Sequence, residues 1–98
     1  MDVKTIATLA PLEAPDHSLI REFVSPSASG VAGLSIAHIT LPPGVAVAPH
    51  FHRETEEVYH AVSGSAELTL DGEAGVLCAG QAVTIIPGKV HAIRNHGA

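Results

Sequence analysis

From Val31 onward, apolar and polar positions alternate in short runs, each closed by glycine, proline or a charged turn residue. The runs read GLSIAHITL, VAVAPHFH, EVYHAVSG, SAELTL, AGVLCAG, QAVTIIPG and VHAIRN. A period of two residues is the signature of strands with one buried face. No apolar period of 3.6 residues survives beyond two turns, so no long helix is expected. The pair Asp71-Gly72, set between LTL and EAGVL, predicts a two-residue hairpin. Strands at this spacing predict an all-β fold, a small antiparallel barrel or sandwich. Ahead of them, Asp16 to Phe23 suits either a helical turn capped by Asp16 or an edge strand. The organisation expected is a single domain, with residues 1–30 as an N-terminal arm or edge strands and residues 31–98 as the barrel.

Composition narrows what such a domain needs. A chain of 98 residues buries a modest core and usually leans on metal, oligomerisation or disulfides. Cys78 is the only cysteine, so an internal disulfide is excluded. With 46% apolar and 15% charged residues, a monomer would struggle to cover its apolar surface, which predicts a homodimer. The formal charge of -5 and the lack of any Lys/Arg cluster argue against nucleic acid and anionic membranes as partners. The N-terminus has no signal-peptide pattern, and the apolar stretches are too short for a membrane helix. A cytoplasmic location is therefore expected, which suits a lone thiol.

The chemistry sits in two clusters. His50 and His52 are two apart, which on a strand places both imidazoles on one face. Glu57 opens the following strand, and pairing the two would return its carboxylate to the histidines. Glu56 competes, but alternation favours Glu57, with Tyr59 and Ala61 beside it and Val58, His60 and Val62 on the opposite face. His91 comes from the second cluster and shares a face with Ile93 and Asn95. A lone His-x-His is weak evidence; joined to a carboxylate and a distal histidine it predicts a metal held by His50, His52, Glu57 and His91. By the same alternation Ala46 and Ala48 should flank the histidines and leave a cavity. Tyr59 is a candidate catalytic residue lining the pocket, with a core tyrosine as the alternative. Asn95 either bonds near the site or organises a turn, and Cys78 is expected as a small buried apolar residue. His17, His38 and His96 are expected to stand apart from the metal.

These residues carry a family resemblance. Gly44, His50, His52, Glu57 and Gly64 fit G-x5-H-x-H-x4-E-x6-G without a gap, and Gly80, Gly88, His91 and Asn95 keep the register of a second motif. Fifteen residues separate the two, Ser65 to Ala79. The pattern resembles the small single-domain cupins labelled mannose-6-phosphate-isomerase-like. Ile86 stands where that family has proline, with Pro87 one place later, and Gln81 replaces a frequent aspartate. Neither departure touches a ligand. The resemblance implies a double-stranded β-helix (jelly-roll) cupin barrel with the metal inside.

Three histidines and one glutamate leave two positions of an octahedron open. Such a mixed donor set favours one divalent Fe or Mn per chain, with Ni, Cu, Co and Zn as alternatives. The expected function is a metal-dependent enzyme of dioxygenase or isomerase type acting on a small polar molecule. The alternative is a non-catalytic small-molecule binding or sensor protein.

Overall fold

The computed structural model describes residues 1–97, which form two compact units, one from Met1 to Thr40 and one from Leu41 onward. The first holds a short 3-10 turn (Ile6–Thr8), β1 (Leu12–Glu13), β2 (Leu19–Val24), a four-residue helix α1 (Pro26–Ser29) and β3 (Ile36–Thr40). Its sheet is antiparallel, in the order β1-β2-β3. Neither reading open for Asp16 to Phe23 holds in full: a strand forms, but β2 pairs with both β1 and β3, so it is the central strand of the sheet and not an edge. Asp16 caps no helix. Its carboxylate accepts from the Ser18 amide at 2.9 Å and the Ser18 hydroxyl at 2.6 Å, closing the β1–β2 turn. Those two bonds, the hydroxyl first, hold the Asp16 carboxyl below its ordinary range.

The second unit carries six strands: β4 (Ala46–His50), β5 (Glu57–His60), β6 (Ser65–Leu70), β7 (Glu73–Cys78), β8 (Ala82–Ile85) and β9 (His91–Arg94). They form a sheet in the order β4-β9-β6-β7 and a two-stranded sheet β5-β8, all antiparallel. The Asp71-Gly72 hairpin forms as the sequence predicts. Leu70 pairs with Glu73, and φ is positive at Asp71 (51°) and Gly72 (87°), the backbone a type I′ turn demands.

Alternation along β6 turns Leu68 inward and leaves Glu67 and Thr69 exposed. Leu68 faces Ile93 of β9 and Gly75 of β7 in register. Leu68, Leu77 and Ile85 are the buried apolar side chains among the described residues, and Ile85 is the deepest at 1% exposure. On the other side of the same sheet Arg94 pairs with Glu67 at 2.9 Å, an exposed ion pair of small energetic weight.

Two expectations need correction here. Cys78 is exposed, not buried, because it follows the buried Leu77 and so points to the opposite side of β7. Ala46 and Ala48 do not share the histidine face. β4 runs in register with β9 at Val47–Ile93 and again at His50–His91, three residues against two, so a bulge lies between. The half-buried Val47 takes the face assigned to the alanines, and Ala46 and Ala48 are exposed. Pro49 sits in the bulge, where a residue lacking an N–H costs the ladder nothing. Among the described residues, no helix is long and apolar enough to cross a membrane.

Candidate metal centre

His50 ends β4 and His91 opens β9, and the two are direct cross-strand partners with ring centroids 4.1 Å apart. His52 lies just beyond β4, its ring 5.3 Å from His50 and 5.5 Å from His91. The loop carrying it is tied down by the Gly88 amide, which donates to the His52 carbonyl at 2.8 Å. Gly88 makes this bond with φ at 84°, a conformation side-chain-bearing residues rarely adopt. One ring nitrogen from each of the three histidines comes within 4.8 Å of the other two. Residues 39 and 41 positions apart in sequence thus meet at one point.

The tautomers are set by the backbone. Nδ1 of His50 lies 2.8 Å from the Ala48 carbonyl, and Nδ1 of His91 lies 3.1 Å from the Lys89 carbonyl. A carbonyl only accepts, so each Nδ1 carries the proton and each Nε2 presents a lone pair. Both histidines bond the carbonyl two residues earlier, a regularity invisible in the sequence because every residue has a carbonyl. His91 is fully buried, and its Nε2 finds no hydrogen-bond partner. Leaving a buried acceptor unsatisfied costs about 1–3 kcal/mol. A metal ion at this nitrogen removes that cost, so the donor set fits a metal.

Glu57 opens β5 on the inward face and is half-buried, whereas Glu56 is exposed. Its Oε2 lies 2.9 Å from His52 Nε2 and its Oε1 3.9 Å from His91 Nε2. Adjacent ligands of an ion with bonds of about 2.1 Å stand about 3 Å apart, so the His52–Glu57 separation suits shared coordination as well as a hydrogen bond. The structure therefore brings His50, His52 and His91 into one cluster and sets Glu57 beside it.

Tyr59 stands two residues on, on the inner side of β5, with its ring edge-on to His91 at 5.8 Å. Burial, then the nearby Glu57 charge, push the phenol above its ordinary range, so it stays protonated. Asn95 organises a turn, the second of the two roles its position allows. Its side-chain amide donates to the Leu41 carbonyl at 2.7 Å, and its side-chain oxygen accepts from the Gly97 amide at 2.9 Å. Gln81 also has a local task, accepting from the Cys78 amide at 2.9 Å. His60 is exposed on the other face of β5, and His17 lies by Glu13 in the first unit. His96 stands 3.9 Å from Glu67 on the outer side of β6.

Comparison with known proteins agrees with this geometry. Residues 37–98 match the family model described as Cupin domain. An uncharacterized protein of Methanocaldococcus jannaschii is 32% identical over 89 residues, covering 91% of this chain and 71% of that protein. The tetracenomycin polyketide synthase protein TcmJ of Streptomyces glaucescens is 29% identical, covering 96% and 68%. Among solved structures, a protein of Thermotoga maritima described as a predicted oxalate decarboxylase superposes with a TM-score of 0.88 at 23% identity, covering 97% of this chain and 88% of its own. A cupin 2 conserved barrel domain protein of Salinispora arenicola gives a TM-score of 0.74 at 26% identity, covering 98% and 78%. The fold is the jelly-roll cupin barrel. With its motif glycines, histidines and glutamate in register and nearly two thirds of its length matched, the chain belongs to the cupin domain family.

Proposed function

We propose that this cupin is a metal-dependent enzyme of dioxygenase or isomerase type acting on a small polar molecule. One observation carries the reading: a fully buried histidine nitrogen without a partner, aimed at two further imidazoles and flanked by a carboxylate. His50, His52 and His91 would hold the ion, and Glu57 is placed to complete the set. Fe(II) or Mn(II) suits this mixed nitrogen and oxygen set. When bound, the metal supplies Lewis acidity or a site for dioxygen.

The chain's own groups orient and protect. The Ala48 and Lys89 carbonyls hold two imidazoles in one tautomer. Glu57 offers a carboxylate 2.9 Å from His52 Nε2, and Tyr59 shares its inner face of β5. Leu68 and Ile85 exclude water from the floor of the unit.

Anaerobic loading with Fe(II) or Mn(II), followed by oxygen uptake and product analysis over hydroxy- and oxo-acids and sugars, tests the reading. Turnover that needs the metal and disappears in Glu57→Gln is expected. Tight metal binding with no turnover of any compound favours the alternative, a non-catalytic binding or sensor protein.

A homodimer is also proposed. Only three large apolar side chains are buried among the described residues, while Val58 on the outer side of β5 and Val62 just beyond it are 61% and 69% exposed. Apolar side chains on a strand edge invite pairing with a second copy. Sedimentation at micromolar concentration should give twice the 10.1 kDa chain mass. A 10 kDa species independent of concentration would contradict it.

A further inference from the structure

We propose that Arg21 and His38, with Thr40 beside them, form a binding site for the carboxylate group of a small organic acid on the β2–β3 ladder of the first unit. The site shares no residue with the metal cluster and does not rest on the metal reading.

Arg21 of β2 and His38 of β3 are direct partners in the antiparallel ladder. Such partners project from one face of a sheet with Cβ atoms about 4.5–5.5 Å apart. Thr40, two residues beyond His38, lies on the same face opposite Leu19. All three side chains are half-buried, whereas Glu22, Ala37 and Ile39 on the other face are exposed. His38 Nδ1 is shielded from solvent and has no hydrogen-bond partner among the described residues. Arg21 likewise makes no hydrogen bond or ion pair among them. A guanidinium carries five N–H donors and no acceptor, so it requires acceptors from elsewhere. The four carboxylates of this unit do not supply them. Asp2 pairs with Lys4, Glu13 lies by His17, Asp16 accepts from Ser18, and Glu22 points to the opposite face. Because shielded polar atoms are nearly always satisfied, this face lacks an acceptor that a ligand would bring. A carboxylate fits, since a guanidinium grips it through two parallel bonds and an imidazole N–H and a hydroxyl can donate to the same oxygens. Arg21 is the one basic residue on β1 to β3 apart from the histidine, which matches a monoanion and leaves a phosphate dianion undercompensated.

The probe is acetate, added to the full-length chain while the ring nitrogens of the seven histidines are followed by long-range proton–nitrogen NMR. Acetate is expected to move the His38 Nδ1 signal, identified by its absence in His38→Gln, equally with and without added zinc. Arg21→Gln should weaken acetate binding about tenfold or more, and Arg21→Lys, which keeps the charge but not the fork, by less. No response at His38 overturns the proposal, as does a response that needs zinc or one that keeps wild-type affinity in Arg21→Gln. Inorganic phosphate binding more tightly than acetate overturns the assignment to a carboxylate. His38 signals that move with protein concentration in acetate-free buffer would mean that a carboxylate of a second copy fills the site, and overturn the assignment to a free acid. Should Arg21→Gln fail to fold, Arg21→Lys carries the same test, and an unchanged acetate affinity there overturns the proposal.

Discussion

His91→Ala abolishes stoichiometric metal binding and removes the stabilisation that metal confers. His91 supplies the one fully buried ring of the cluster and the nitrogen with no protein partner. A ligand that binds only the folded state stabilises it by about 2.7 kcal/mol at one hundred times its dissociation constant. The unmutated protein should therefore melt several degrees higher with metal than without, since about 1 kcal/mol shifts the midpoint of a domain this small by about 4–8 °C. The variant should show no such rise. Its metal-free form should suffer less than an apolar truncation of equal size, because the deleted nitrogen was an unsatisfied polar atom. Calorimetry with and without added metal checks both points, and a variant that still melts higher with metal would contradict the role given to His91.

The second large effect is on the core. Ile85→Ala should destabilise the protein by about 2–5 kcal/mol, the range for deleting a buried aliphatic side chain whose cavity only partly collapses. That is a sizeable fraction of the roughly 5–15 kcal/mol that holds a domain folded. Ile85 is 1% exposed and pairs directly with Glu57 across the two-stranded sheet, so the loss should also loosen the carboxylate. Ile85→Val, which removes one methylene, should cost about 0.5–1.5 kcal/mol. Chemical denaturation of both variants gives the comparison. A loss below 1 kcal/mol for the alanine variant would mean that the two sheets of this unit are not held together through Ile85.

How far the sequence could be read depended on whether a pattern was local. Alternation of apolar residues located all six strands of the second unit, and Asp71-Gly72 marked a turn whose positive φ angles few other residue pairs tolerate. The spacing of the histidines indicated the cluster because a period of two fixes which side chains share a face. The same rule misplaced Ala46 and Ala48, since it assumes an unbroken ladder. A bulge reverses the alternation, and Pro49 was the one visible sign of it. Cys78 went astray differently. Its residue type favours burial, but register decides, because its neighbour Leu77 claims the inner side of β7. The short 3-10 turn and α1 of the first unit were not anticipated, for segments of three and four residues have too few positions to show a period. The carbonyls that set the tautomers of His50 and His91 could not have been read at all, because no residue type reports them.

The central claim is that three imidazoles, drawn from both halves of the second unit, form one first coordination sphere. X-ray absorption fine structure on the zinc-loaded protein measures this directly. The account predicts three nitrogen scatterers at about 2.0–2.1 Å with the outer-shell pattern of imidazole rings, alongside oxygen. A metal shell of oxygen or sulfur alone, without imidazole scattering, would contradict it.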